Sequence, residues 1–286
     1  MAKVKVVTDS TAHFEPGVAE RLGIQIVPLR IHFGDEVFRE GIDITSERFF
    51  RKLAESPIQP KASAPPIGEF RTVYRELNKT TDQILSIHVS SKLSPTWEVA
   101  NEAANALLGR CEIAVVDSQT ISLGLGILAK AAAEAANQGE SLDSIIRLLR
   151  GMIPHIYAVF FVETLDYLER GGRIGKAQAL LGTMLGIKPF LTIEEGEIIP
   201  MEKVQDREKA VDKLFEFVAE FSHIEQIAIL QSSPEPAEET KLLMERLELT
   251  FPDLEFPILV YGPTLASHIG PNTLGVIVYE GTNEII

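Results

Sequence analysis

Cysteine is almost missing from this chain: Cys111 stands alone among 286 residues. That excludes an internal disulfide and any thiolate metal cluster, and it fits a reducing cytoplasm. Long apolar runs are missing too; none approaches the ~18 residues that a membrane span needs. The opening Met1-Ala2-Lys3-Val4-Lys5-Val6-Val7 runs straight into a strand pattern, without an apolar leader or a cleavage site. A soluble cytoplasmic protein with no stable membrane insertion is expected. Positive charge is scarce: 27 Lys and Arg stand against 41 Asp and Glu, for a formal charge of −14. Such a chain repels nucleic acid and anionic bilayers unless it carries a local basic patch. The histidines (His13, His32, His88, His155, His223 and His268) form no pair at metal-ligand spacing, so no metal site is expected, and no cofactor is expected either. Gly-x-Ser-x-Gly, Gly-x-x-x-x-Gly-Lys-Ser/Thr and Gly-x-Gly-x-x-Gly are all missing. Those gaps remove the common hydrolase, nucleotide-phosphate and dinucleotide signatures.

What is present is an ordinary globular composition, 45% hydrophobic and 24% charged. Strand-like runs at Val4–Val7, Ile24–Ile31, Ile84–Val89, Ile113–Val116 and Ala158–Val162 alternate with helical patterns. The helical stretches lie near Pro16–Leu22, Ser46–Ala54, Ile67–Leu77, Pro95–Leu108, Leu123–Ala136 and Leu142–Met152. This alternation predicts a mainly parallel sheet covered by helices. Two of the runs are apolar almost throughout, as strands buried on both faces must be. From about Thr164 the texture changes. Pro189–Ile193 and Ile198–Met201 flank a Glu-Gly turn and read as a hairpin. A helix near Arg207–Phe221, a strand at Ile227–Leu230, an acidic helix near Pro236–Leu247, and strands Ile258–Tyr261 and Gly275–Tyr279 follow. The prediction is a two-domain α/β protein: an N-terminal domain over residues 1–160 and a C-terminal α/β domain with a mixed sheet over 161–286.

Three strands of the first half run into the same chemistry: Thr8-Asp9-Ser10-Thr11, Ser90-Ser91 and Asp117-Ser118. The carboxyl ends of parallel strands line one crevice, where ligands bind. Any one of these segments is explained by turn and capping preferences; three together point to a polar head-group site. Candidate crevice residues are therefore Thr8, Ser10, Ser94, Asp117 and Ser118, with Gly124 letting a helix start pack closely on a neighbour or a ligand. Pro95 suits a first helical position with Ser94 as its cap, which puts a helix N-terminus, a ready anion site, beside Ser91. Ser63, in Lys61-Ala62-Ser63-Ala64-Pro65-Pro66, sits in a stretch its prolines hold extended. His268 is bracketed by Gly262-Pro263 and Gly270-Pro271, and it reads either as a hydrogen-bonded histidine near a helix end or as a donor to a buried carboxylate. From Arg170 to Ile193 the chain carries Arg170, Arg173, Lys176 and Lys188 and no acid. In so acidic a protein, that basic loop is a candidate docking surface for an acidic partner or a phosphate.

As a set, these segments resemble the DegV family of bacterial fatty-acid-binding proteins. The match is carried by Val7-Thr8-Asp9-Ser10-Thr11, Ile26-Val27-Pro28-Leu29, Ser63-Ala64-Pro65 with Gly68-Glu69-Phe70, and Ser90-Ser91-Lys92-Leu93-Ser94. It continues through Val116-Asp117-Ser118 with Ser122-Gly124-Gly126, Leu168–Ile174, Lys188-Pro189, and Gly262-Pro263 with His268-Gly270-Gly275. The resemblance implies a long-chain fatty acid in a tunnel between two α/β domains, with its carboxylate on Ser63, Ser91 and His268. It also implies presentation of that carboxylate to a partner, a fatty-acid kinase, for phospholipid synthesis, with Arg170, Arg173 and Lys176 at the docking surface. Where the family usually has Thr-Ser-Gln-Pro, this chain has Ala62-Ser63-Ala64-Pro65, which leaves Ser63 to carry that role alone. The usual Gly after Leu-Ser is Pro95 here, and Trp97 stands where Tyr is common. The expected role is a carrier rather than an enzyme. The alternative, from another class, is a serine-dependent acyl or phosphoryl transfer enzyme that uses Ser91 or Ser63 in the same crevice and needs a general base within reach.

Overall fold

The computed structural model describes residues 4–180 and 188–281. In the first half run β1 (Lys5–Asp9), α1 (Val18–Leu22), β2 (Gln25–Val27), β3 (Arg30–Phe33), β4 (Glu36–Arg39) and α2 (Ser46–Glu55). There follow β5 (Lys61–Ser63), α3 (Ile67–Leu77), β6 (Gln83–His88), α4 (Thr96–Ala104), β7 (Glu112–Asp117), α5 (Leu123–Gln138) and α6 (Leu142–Met152). The second half runs β8 (Ile156–Phe161), α7 (Asp166–Arg170), β9 (Lys188–Glu194), β10 (Glu197–Val204), α8 (Arg207–Ala219) and β11 (Gln226–Gln231). It ends with α9 (Glu238–Thr250), β12 (Ile258–Val260), α10 (Pro263–Ile269) and β13 (Leu274–Tyr279).

The first sheet is wholly parallel, in the order β2-β1-β6-β7. Period-two alternation divides its side chains between two helical layers. Val7 and Ile84 pack on Phe70 and Tyr74 of α3 and Ala100 of α4. Val6, Leu85 and Ile87 share a core with Leu125 and Leu128 of α5 and Leu149 of α6. The strands are apolar on both faces because both faces are covered, as the sequence predicts.

The second sheet is mixed, in the order β10-β9-β8-β13-β11-β12, with only the β11–β12 pair parallel. One face buries Val159, Phe161, Val276 and Val278 against Leu214 of α8 and Leu243 of α9. The other face, with Ala158, Phe160 and Ile277, joins the core that α5 shares with the first sheet. The two halves thus share one apolar layer. The expected division at residue 160 would cut β8, whose residues 156–161 pair with β13 and β9. We place the start of the second unit at Ile156 on that ground.

Two differences from the predicted elements matter for the site. Ile24–Ile31 is not one strand: Pro28 has no N–H to donate, so β2 ends at Val27 in the parallel sheet and β3 begins a separate antiparallel ribbon, β4-β3-β5. That ribbon turns the segment around Ser63, expected as an extended loop, into a paired strand in which Ser63 faces Arg30. The α4 cap is Pro95 rather than Ser94, so the helix starts one residue later than predicted. The hairpin β9–β10 turns at Glu195-Gly196, both at positive φ (48° and 80°), as a two-residue turn of the primed kind demands.

Candidate functional site

The carboxyl edge of the parallel sheet is polar as expected, but most of its groups satisfy one another. The buried Asp9 carboxylate accepts from Thr11 N (3.0 Å), Thr11 Oγ1 (2.6 Å), Val89 N (2.9 Å) and His88 Nδ1 (3.0 Å). Because an ionised Asp9 only accepts, Nδ1 of His88 carries the proton, and Nε2 accepts from Ser86 Oγ at 2.7 Å. Tyr74 Oη donates to the same Ser86 Oγ at 2.8 Å, and burial raises the Tyr74 pKa well above its ordinary value. Ser86, His88 and Asp9 stand in the order of a hydrolase triad, yet all three are fully buried. No substrate reaches a sealed hydroxyl, so this network is structural.

The predicted crevice residues divide similarly. Ser10 Oγ donates to Glu40 Oε2 (2.6 Å) and accepts from Leu29 N (2.9 Å). Ser94 Oγ is spent on Thr96 Oγ1 (2.8 Å). Ser118 Oγ forms a local turn with Thr120, donating to its carbonyl at 3.2 Å and accepting from its N–H at 3.3 Å. Asp117 takes Ser91 N (3.2 Å), Ser91 Oγ (2.5 Å) and Gln119 N (2.9 Å). Thr8 differs: its Oγ1 is buried without a hydrogen-bond partner. A Cβ at Gly124 would lie 2.5 Å from Thr120 Oγ1 and 2.8 Å from Ile156 Cγ2, so that glycine admits a protein neighbour.

Of the three predicted head-group residues, Ser63 bonds its Oγ to His32 Nε2 across the ribbon (2.8 Å) and Ser91 is held by Asp117. His268 lies elsewhere, near the end of α10, on the wall of a cavity of about 330 Å3 that Lys61, Ala62, Tyr167, Arg170 and Arg173 also line. The lining takes in the residue before Ser63 but neither Ser63 nor Ser91. It holds three cationic side chains and no carboxylate. His268 Nδ1 is buried and without a partner. Burial, and then the neighbouring Arg173 guanidinium, push its pKa down to about 4, so the ring is neutral at physiological pH. In the tautomer with its proton on Nδ1, a neutral imidazole in such a recess can donate to an anion's oxygen.

Arg173 corrects the picture of a free docking loop. It is half-buried; Nε donates to Leu93 O (2.8 Å) and Nη1 to Gly171 O (2.6 Å). It thereby ties the segment that follows Ser91 to the cavity wall. Arg170 remains exposed, with its guanidinium 5.3 Å above the Tyr167 ring. Lys176 pairs with Glu197 at 3.4 Å and Lys188 with Glu163, so acids distant in sequence neutralise part of the stretch. Residues 181–187 of that stretch lie outside the described residues.

Glu40 carries no sequence signal, because Arg39-Glu40-Gly41 reads as a solvated turn. In the fold it is buried in the wall of a second cavity of about 200 Å3, which Ser122 and Pro263 also line. Besides Ser10, it accepts from Thr264 N (2.8 Å) and Thr264 Oγ1 (2.7 Å) in the first turn of α10. Burial still dominates and raises its pKa to about 7. Among the described residues no group of three or more His, Cys, Asp or Glu converges as a metal would need, and no helix is long and apolar enough to cross a membrane.

Comparison with known proteins matches residues 3–281 to the family model described as DegV. The protein DegV of Bacillus subtilis is 34% identical over 277 residues, covering 96% of this chain and 98% of that one. A DegV family protein of Thermus thermophilus, described for its fatty-acid binding, superposes with a TM-score of 0.86 at 35% identity, over 98% of this chain and 100% of the other. The crystal structure of DegV from Bacillus subtilis, described as a fatty-acid-binding protein, gives a TM-score of 0.87 at 32% identity, with 98% and 100% covered.

Proposed function

The chain belongs to the DegV family, and from that premise we propose that it binds a long-chain fatty acid between its two units, with the carboxylate in the cavity at His268. The observation that carries this reading is the unpartnered Nδ1 of His268 in a recess lined by cations and no acid. Among the described residues only Thr8 Oγ1 and Arg71 Nε are likewise buried side-chain atoms without a hydrogen-bond partner, and neither residue lines this cavity. An acyl chain of about fifteen methylenes at ~0.8 kcal/mol each supplies on the order of 10 kcal/mol before association costs. Affinity thus comes from the tail, and the polar groups need only place the head. Ser63 and Ser91 complete that placement if their hydroxyls turn from His32 and Asp117 toward the ligand. The role is that of a cytoplasmic carrier which offers the carboxylate to a partner, a fatty-acid kinase, on the way to phospholipid. Arg170 and Lys176 are the exposed cations of the proposed docking surface. Arg173, in the cavity wall, acts on the lipid as well.

Denaturing extraction of the protein purified from a bacterial host, followed by mass spectrometry, is expected to release a fatty acid. A lipid-free protein that also fails to bind added oleate or palmitate would sink the carrier reading. His268→Ala is expected to weaken oleate binding by roughly 1–3 kcal/mol, the cost of leaving a buried charged acceptor short of a donor. Arg170→Glu is expected to leave oleate affinity unchanged while slowing acyl-phosphate formation with kinase and ATP, more so at low ionic strength, where rim charges are least screened.

One observation favours the second reading, a serine-dependent acyl or phosphoryl transfer enzyme. Ser63 Oγ lies 2.8 Å from His32 Nε2, within reach of a general base. Turnover of an acyl ester or acyl phosphate by the protein alone, lost in Ser63→Ala, would favour that enzyme over the carrier.

A further inference from the structure

Two adjacent glycines, Gly171 and Gly172, end helix α7, and only one of them is explained by the backbone. Gly172 has φ 67°. Its N–H donates to Glu169 O (3.0 Å), and the N–H of Arg173 donates to Leu168 O (2.9 Å). That is a Schellman ending, in which the left-handed position favours glycine. Gly171 is different. It sits at φ −74°, ψ −11° in the ordinary right-handed region, where any L-residue fits and where glycine only costs conformational entropy.

The reason for glycine at 171 lies in front of it. A Cβ there would stand 2.7 Å from His268 Nδ1, 3.3 Å from His268 Cε1 and 3.0 Å from Tyr167 O. Two of these three atoms belong to the one buried imidazole whose Nδ1 has no partner. A methyl there would overlap the ring, so the imidazole can sit where it does only because residue 171 has no side chain. Gly171 also lines the cavity, and its carbonyl is gripped by Arg173 Nη1 at 2.6 Å. The same guanidinium donates from Nε to Leu93 O at 2.8 Å, which anchors the turn to the loop after β6.

We infer that Gly171 is the selectivity element of the head-group cavity: its missing side chain gives the His268 ring the room to seat beside the turn and offer Nδ1 to a ligand's carboxylate oxygen. This rests on the fatty-acid reading above and names the residue that makes the site choose acids. An alanine at 171 displaces the ring, and the acid loses its donor while the acyl tail keeps its contacts.

The test is a double-mutant cycle read with two ligands, oleate and oleyl alcohol, on the full-length protein stripped of lipid. Gly171→Ala is expected to lower oleate affinity at least tenfold and to change oleyl alcohol affinity by less than twofold. In a His268→Ala background the same substitution is expected to change neither, because the ring it displaces is gone. If wild-type protein binds oleate and Gly171→Ala binds it equally well, the inference falls while the fatty-acid reading stands. An equal loss with and without His268 makes Gly171 a packing residue and overturns the inference too. Failure of the wild type to bind oleate brings down both. Should Gly171→Ala not fold, the 15N resonance of His268 Nδ1 in wild type decides: it is expected to shift on oleate binding and not on alcohol binding, and an unmoved resonance refutes the assignment.

Discussion

Ser122 holds φ 58° and ψ −127°, an arrangement glycine adopts at no cost and a serine does not. It caps α5 in position only, because its side chain makes no capping hydrogen bond. The backbone is bent there so that Ser122 O can accept from both His13 N and Gly126 N, each at 3.0 Å. The Thr11–Glu15 segment then lies so close to the helix that a Cβ at Gly126 would collide with His13 O. Strain at one residue is offset by two hydrogen bonds and a close packing that replacing Ser122 leaves untouched. Ser122→Gly is therefore expected to stabilise the protein by roughly 0.5–1 kcal/mol, after subtracting the extra entropy of glycine in the unfolded chain. Urea unfolding measures it, and a destabilised variant would mean the hydroxyl contributes more than the strain costs.

Among the elements, the β9–β10 hairpin joins the two sheets. Its turn reaches the loop after β6, where the buried Ser90 Oγ donates to Gly196 O at 2.7 Å and accepts from Lys92 N at 3.2 Å. Gly196 has φ 80°, and a Cβ on it would collide with Ser90 Oγ. Gly139, the C-cap of α5, has φ 93° and nothing within 4 Å of its Cβ position. The pair separates two effects. Gly139→Ala pays only the conformational cost, about 1 kcal/mol, whereas Gly196→Ala adds the broken contact and is expected to cost roughly 2–3 kcal/mol. Equal losses in urea unfolding would show that the hairpin tip does not brace the neighbouring loop.

At the scale of the whole molecule, the bonds from Thr264 to Glu40 span 224 residues and fasten the ribbon of the first half to helix α10, whose other end carries His268. Burial, reinforced by the nearby Asp9 charge, outweighs three donated hydrogen bonds, so the folded-state pKa is raised from 4.5 to about 7. A raised carboxyl means that the folded state holds the proton more tightly. Its contribution to stability is fully present below the unfolded value near 4.5 and is lost as pH rises through about 7. At ~1.4 kcal/mol per unit the loss is on the order of 3 kcal/mol. His268, depressed to about 4, works the other way: its contribution is present above the unfolded value and is lost as pH falls through about 4. Unfolding free energies of wild type and Glu40→Gln between pH 4 and 8 isolate the carboxyl. Their difference is expected to shift by a few kcal/mol across that range, and a pH-independent difference would rule the assignment out.

The strand–helix alternation, the sheet buried on both faces and the bounds of α3 and α6 follow from the sequence alone, because apolar periodicity is a local property and reports which face of an element meets a core. The Glu195-Gly196 turn is legible for the same reason: its positive φ values are a demand on the residues themselves. The motif set identified the family because its order and spacing survive along nearly the whole chain. Tertiary structure alone decided the β4-β3-β5 ribbon, in which β3 and β5 pair residues some thirty apart and all three strands are too short to carry a period. It alone turned Arg173 inward to Leu93 and drew Lys176 to Glu197, so that a loop basic in sequence is partly spent within the fold. It buried Glu40 against a helix that begins more than two hundred residues later, and it left His268 Nδ1 idle beside a glycine. Local sequence says which groups are polar. Only packing, which brings together side chains far apart in the chain, decides which of them is left without a partner and so is free to bind.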